Sequence, residues 1–263
     1  MKQIIHPKSI PVVVLLSSMV AVLLRMWTWG SGPDASGLFA QKPLAWALLW
    51  VLTGFVVFAT WFALRGLKKS GSYQENYPKS LLAGICMVPA AVMILITGVN
   101  QLRASVGTEV PGTAVDTVTG IFGLVAGLCL LLSVVHRCMG KQPFFAINGL
   151  ICLYLAVRLF DCCQLWSNEP QVGLVVFPFL ASTALMLAVY HRVCFDVDLG
   201  KRQWAGFWSL LSVYFCVIAM LSNIEPLFYG TCALWRMADL CSLRPLKRKK
   251  QPEEDAQEPE VNG

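Results

Sequence analysis

The stretch 118-VTGIFGLVAGLCLLLSVV-135 is 18 residues long and contains no charged side chain and no proline. A helix rises about 1.5 Å per residue, so this run nearly matches the roughly 30 Å hydrocarbon core of a bilayer. The whole chain of 263 residues is 56% hydrophobic and only 14% charged. This composition excludes an ordinary soluble domain and predicts an integral membrane protein.

Apolar runs of similar length recur along the chain, separated by short stretches that hold the glycines, prolines and charges. We predict eight transmembrane helices, at Ile10 to Trp29, Leu44 to Leu64, Ser80 to Gly98, Val118 to Val135, Phe144 to Trp166, Val172 to Cys194, Trp204 to Leu221 and Leu227 to Leu243. The expected fold is therefore an all-α, polytopic helix bundle. No connection is long enough to form a domain of its own, so residues 1–243 are expected to form one transmembrane domain.

The distribution of lysine and arginine predicts the orientation of this bundle, because cytoplasmic loops are enriched in both. Sixteen of the 21 fall on the inner side if both termini are cytoplasmic: Lys2, Lys8, Arg65, Lys68, Lys69, Lys79, Arg137, Lys141, Arg192, Lys201, Arg202, Arg244, Lys247, Arg248, Lys249 and Lys250. Only Lys42 and Arg103 fall on the outer side. We therefore expect a multipass protein of the cell (cytoplasmic) membrane with both termini in the cytoplasm.

The carboxyl-terminal segment 244-RPLKRKKQPEEDAQEPEVNG-263 is basic and then acidic, and it contains no apolar run. Such a composition is typical of a disordered tail. Its basic half is expected to contact anionic lipid at the cytoplasmic face of the bilayer. The topology accounts for these charges, so we do not interpret them as a nucleic-acid site.

Charged residues also occur inside two of the predicted helices. Arg158 and Asp161 are three residues apart in 154-YLAVRLFDCCQLW-166, and Arg236 and Asp239 repeat that spacing in 229-YGTCALWRMADLCSL-243. Residues at this spacing share a helix face, so each pair is expected to neutralise itself. Two tyrosines, Tyr154 and Tyr229, extend the two polar faces.

Arg25 is a further charge within a predicted span, and its depth matches that of Asp161. The two are therefore candidates for an ion pair between helices. Ionisable side chains inside a bilayer are costly and are expected to face the interior of the bundle. This pattern is compatible with two alternative functions. In the first, the polar residues line a site for an anionic or zwitterionic solute in a small transporter. In the second, they only lock helices together in a non-catalytic sensor or accessory subunit.

Two further patterns predict contacts. Gly123 and Gly127 have the G-x-x-x-G spacing that lets helices approach closely, either within the chain or in a dimer. The segments 134-VVHRC-138 and 189-VYHRVC-194 are similar helix ends on the cytoplasmic side. A pair of His-Arg ends could hold an anionic headgroup or phosphate. The alternative is that they are positive-inside anchors that interact favourably with the helix dipole.

The sequence contains no H-E-x-x-H or G-x-S-x-G motif and no acidic cluster with metal-ligand spacing. We therefore expect no metal and no cofactor, and the balance of the sequence evidence is against an enzyme.

Overall fold

The structure is a computed structural model, and it describes residues 10–28, 42–65, 67, 72–106, 114–168, 172–222 and 225–243. All regular structure in these ranges is helical. The helices are α1 Ile10–Thr28, α2 Pro43–Leu64, α3 Tyr73–Asn76, α4 Leu81–Val106, α5 Ala114–Met139, α6 Phe145–Asn168, α7 Val172–Asp196, α8 Arg202–Ala219 and α9 Pro226–Cys241. The tail predicted to be disordered, 244–263, lies outside the described residues.

The all-α class is confirmed, and six helices are long and apolar enough to cross a membrane: α1, α2, α4, α5, α6 and α7. The last two predicted spans are also helices, but α8 has 18 residues and α9 has 16. Sixteen residues rise only about 24 Å. The short helix α3 was not predicted.

Consecutive helices from α4 to α9 pack side by side, and α9 then returns to pack against α4. Outside this ring, α1 packs on both α2 and α8. Most residues of α8 are buried as a result. In contrast, the outward faces of α2, α4 and α5 expose large apolar side chains such as Val51, Leu82 and Leu128. These faces have the apolar character that contact with lipid requires.

Glycines bring α4 and α5 unusually close together. A Cβ atom added at Gly98 of α4 would lie 3.0 Å from the carbonyl oxygen of Gly120 and 3.0 Å from the amide nitrogen of Leu124. A Cβ at Gly123 would lie 3.1 Å from the Cα of Gly98, and one at Gly127 would meet α4 at Leu95. The predicted G-x-x-x-G contact is thus made inside the chain, and α4 covers these glycines.

Replacing Gly98 with alanine is expected to lower the free energy of unfolding by about 1 kcal/mol. The new methyl group would meet backbone atoms of α5, which cannot rotate away, so the helices must separate and lose packing. The measurement is the thermal or SDS-induced unfolding of the purified protein in detergent.

The matched control is Gly149→Ala in α6, where an added Cβ meets nothing within 4 Å. This change is expected to stabilise the protein by about 0.5–1 kcal/mol, because alanine is the better helix former. Equal effects of the two substitutions would contradict the close approach of α4 and α5.

Candidate functional site

Two buried charge networks lie at opposite ends of α9. The first surrounds Arg158, close to the start of the helix at Glu225. The second surrounds Arg236 and Asp239, close to its end. Glu225 and Arg236 are eleven residues apart, which corresponds to about 16 Å along a helix. The polar residues of the last helix therefore serve two separate sets of contacts.

In the first network, Arg158 of α6 forms an ion pair with Glu225, the residue that caps α9. Its guanidinium also donates to the hydroxyl of Tyr154 at 3.5 Å and lies 3.9 Å from the ring centroid of Phe228. The ring of Tyr229 is 6.0 Å away. A cation over aromatic faces gains electrostatic stabilisation, most strongly when it is shielded from water. Arg158 is 3% exposed, so these contacts replace its hydration.

The backbone at Glu225 favours this ion pair. Glu225 adopts a left-handed conformation with φ 46° and ψ 59° directly before Pro226. This conformation costs a non-glycine residue about 1–2 kcal/mol. The proline explains part of the choice, because a residue before proline is disfavoured in the right-handed helical region. The turn places the carboxylate beside α6.

Arg158 forms its ion pair with Glu225 and not with Asp161, the partner expected from the sequence. Asp161 lies one turn further along α6 and is half-buried, while the carboxylate that reaches the guanidinium comes from Glu225 on another helix. The spacing placed Arg158 and Asp161 on one face, but it gave no information about what the neighbouring helix supplied.

The contacts of Arg25 also differ from the predicted ion pair with Asp161. Its guanidinium donates to the carbonyl oxygen of Ile218 at 3.2 Å and to the hydroxyl of Ser222 at 3.0 Å. It also lies 4.7 Å from the ring centroid of Phe177. Although both residues are described, no ion pair joins Arg25 to Asp161. Arg25 is fully buried and connects α1 to the end of α8 and to α7.

The second network contains three buried arginines from three helices, and we call it the arginine rim: Arg137, Arg192, Arg236, Asp239 and Tyr77. The predicted pair of Arg236 and Asp239 is confirmed, with 3.2 Å between Nη1 and Oδ2. The same carboxylate oxygen accepts from Arg192 of α7 at 2.6 Å. One aspartate therefore binds two arginines.

Arg236 makes further contacts with α7 and α8. It donates to the hydroxyl of Ser209 and to the carbonyl oxygen of Ala188 at 3.5 Å, and its guanidinium carbon lies 5.4 Å from the ring centroid of Trp235. Ser209 is itself buried on α8. These contacts hold α9 against two neighbouring helices, and they give buried Ser209 a partner.

Tyr77 provides an aromatic surface for the rim. The guanidinium carbons of Arg137 and Arg192 lie 4.9 and 5.6 Å from the centroid of its ring. Burial, together with the nearby Asp239, raises the pKa of Tyr77 to about 12, although the three arginines lower it. Tyr77 is therefore neutral near pH 7 and does not act as a counter-charge. Arg137 also donates to the hydroxyl of Ser242 at the end of α9.

Two amide side chains, Asn148 and Gln142, form hydrogen bonds with Asp196 beside the rim. Asn148 of α6 donates to Asp196 Oδ2 at 2.7 Å and accepts from the hydroxyl of Ser133 at 3.2 Å. Gln142 donates to the carbonyl oxygen of Asp196 at 2.8 Å. These hydrogen bonds connect α5, α6 and α7 close to Arg192, whose charge acts on Asp196.

Two surface grooves lie elsewhere on the molecule. One has a volume of about 300 Å³ and is lined by Gly149, Cys152, Leu153, Ala156, Tyr190 and Val193. The other has about 480 Å³ and is lined by Val115, Val118, Ala156, Val157 and Phe160. Both are open and almost wholly apolar, and neither is lined by Arg158 or Arg236.

No protein-family model, curated protein or solved structure matches the chain significantly. Within the described ranges, no group of three or more histidine, cysteine or acidic side chains is close enough to hold a metal ion. The interpretation of the site therefore depends on its own geometry.

The structure brings together three of the predicted site residues, Arg158, Tyr154 and Tyr229, and separately pairs Arg236 with Asp239. Tyr229 also contacts α7, where its hydroxyl donates to the carbonyl oxygen of Pro178 at 3.4 Å. The sequence reasoning did not identify Glu225, Tyr77 or Ser209. It did single out Arg137 and Arg192, because the two helix ends that contain them have similar sequences. This repeated His-Arg pattern was the sequence feature that pointed to the second network.

Proposed function

We propose that the protein is a non-catalytic module of the cell membrane, a sensor or an accessory subunit, in which buried charges hold the helices in one arrangement. All eight long helices would cross the bilayer, with both termini in the cytoplasm. The lysine and arginine distribution supports this orientation. The packing of α8 and α9 among the six longer helices supports their placement in the membrane.

The observation that carries this proposal is that each buried arginine of the predicted spans contacts a group on another helix. Arg25 reaches α8, Arg158 reaches the start of α9, and Arg236 reaches α7 and α8. None of these three residues is more than 3% exposed. The contacts of these three guanidiniums come from neighbouring helices, so each side chain connects one helix to another.

Such connections specify how the helices are arranged more than they stabilise the fold. A buried ion pair contributes little net stability, because desolvation offsets most of the Coulomb attraction, but removing one partner is costly. Between apolar helices that slide easily against each other and against lipid, polar contacts also define the register. Charges at both ends of α9 therefore fix its depth and its rotation.

A small transporter for an anionic or zwitterionic solute is the other candidate. That function would require Arg158 and Arg236 to reach a shared, water-filled cavity. Here Arg158 pairs with Glu225 and Arg236 with Asp239, and about 12 Å of helix separates Phe228, which covers Arg158, from Arg236. This geometry favours the module.

The test is a flux assay on purified protein reconstituted into liposomes. Radiolabelled phosphate, carboxylates and amino acids would be offered with and without proton and sodium gradients. We expect no uptake above that of empty liposomes. Uptake that disappears in Arg158→Ala and Arg236→Ala, but survives in the exposed control Arg65→Ala, would overturn the proposal in favour of the transporter.

A further inference from the structure

All three arginines of the rim are buried and have nitrogen atoms without partners, and most of these atoms belong to Arg137 and Arg192. Arg137 and Arg192 are each 1% exposed. Among the described residues, Nε and Nη1 of Arg137 and Nε and Nη2 of Arg192 have no hydrogen-bond acceptor. Buried donors are nearly always paired, because an unpaired one forfeits its hydration without compensation. Four such atoms on two neighbouring guanidiniums require an explanation.

The charges of the rim are also unequal. Arg137, Arg192 and Arg236 bring three positive charges to the ring of Tyr77, whereas Asp239 brings one negative charge and gives the same oxygen to two of the arginines. Asp196 also attracts Arg192; its Oδ2 accepts from Asn148, and its Oδ1 has no hydrogen-bond partner in the described part of the chain. Even with Asp196 ionised, three positive charges face only two negative ones. Like charges at short distance in a poorly hydrated site repel strongly. Another anion would balance them.

We propose that the arginine rim binds an oxyanion of the phosphate class, either the phosphate of a lipid headgroup or free phosphate. Guanidinium groups present planar, forked donors that match two oxygens of one phosphate. A phosphate group offers acceptors in several directions, which suits unpaired donors from two side chains. Arg137 is the key ligand, because within the described chain it has no carboxylate partner.

The position of the rim agrees with such a ligand. The rim lies where α5, α7 and α9 end. It also lies beside the start of α4, because the amide of Ser80 donates to the carbonyl oxygen of Arg137 at 3.5 Å. The ends of membrane-spanning helices lie at headgroup level. This inference adds a ligand to the proposed module. Anion binding is measured with Arg137 variants and transport with Arg158→Ala, a residue outside the rim, so failure of one proposal does not decide the other.

Arg137→Gln is the most informative variant. It removes one unpaired positive charge and leaves the ion pairs of Asp239 in place. A purely structural role of Arg137 predicts lower stability with or without an anion. An anion site predicts that delipidated Arg137→Gln is at least as stable as the delipidated native protein, because a costly buried charge is gone. The control is Lys141→Gln, which removes an exposed charge at the same end.

The experiment uses the full chain, delipidated in a neutral detergent. Thermal stability is followed during titration with inorganic phosphate against sodium chloride of matched ionic strength. In a second arm, the protein is placed in nanodiscs of phosphatidylcholine alone or mixed in equal parts with phosphatidylglycerol, and retained lipid is measured by native mass spectrometry. We expect saturable binding in at least one arm, weakened about tenfold or more by Arg137→Gln and unchanged by Lys141→Gln.

The two arms distinguish the sources of phosphate. Stabilisation by inorganic phosphate indicates a free anion, and retention of phosphatidylglycerol alone indicates a headgroup. If Arg137→Gln does not fold, Arg137→Lys replaces it, and weaker binding there shows that the forked donors matter. Absence of saturable binding in both arms, or equal binding by the native protein and the Arg137 variant, would overturn the proposal.

Discussion

Replacing Asp239 with asparagine is expected to lower the free energy of unfolding by about 3–5 kcal/mol. Asp239 is 2% exposed, and its Oδ2 accepts from both Arg192 and Arg236. Asparagine has nearly the same shape but no charge, so two buried guanidiniums would lose their shared counter-ion. The loss should appear as a large fall in the unfolding temperature, or in the midpoint of SDS-induced unfolding, of the purified protein.

Asp198→Asn is the matched control for this prediction. Asp198 is exposed at the turn between α7 and α8 and has a φ of 57°, a left-handed conformation that asparagine also tolerates. Its replacement is expected to change the free energy of unfolding by less than about 0.5 kcal/mol. If the two variants unfolded alike, Asp239 would not hold the rim together.

Glu225→Gln is expected to lower the free energy of unfolding by about 1–3 kcal/mol. Arg158 would remain buried beside Phe228 without its carboxylate. The cost is smaller than for Asp239, because 37% of the Glu225 side chain is exposed and water screens part of the interaction. Glutamine keeps the length of the side chain and the same left-handed backbone, so the comparison isolates the charge.

Asp161→Asn tests which carboxylate neutralises Arg158. The structure predicts a change of less than about 0.5 kcal/mol, because Asp161 is only half-buried and does not pair with Arg158. The spacing of the two residues along the sequence predicts the opposite order. If Asp161→Asn lowered the free energy of unfolding more than Glu225→Gln did in the same detergent, Asp161 and not Glu225 would be the carboxylate that neutralises Arg158.

The helices were largely predictable because each apolar run carries its own signal. The prediction for the second span began at Leu44 and ended at Leu64, and α2 is Pro43–Leu64. Boundaries were less accurate where the end of the apolar run is not the end of the helix. The third span was expected to end at Gly98, but α4 continues to Val106 through polar residues. Backbone hydrogen bonds extend a helix regardless of hydropathy.

The charge network was predictable only where both partners lie on one helix. Arg236 and Asp239 are three residues apart and do pair, since rotation about a helix axis brings them to one face. The same spacing failed for Arg158, whose partner is 67 residues away at Glu225. The contact of Arg25 with Ile218 spans 193 residues. Local periodicity carries no information about which distant side chain arrives.

The sequence by itself determined that this protein is an apolar, all-helical chain whose few interior charges must be compensated. The reason is that hydropathy and helix periodicity are properties of neighbouring residues, and burying a charge is costly in any fold. Only the tertiary structure decided which partners compensate those charges. Packing of α5, α7 and α9 brought Arg137, Arg192 and Arg236 around Tyr77 and gave two of them one carboxylate. An excess of buried positive charge arises from that convergence and is not visible in any single segment.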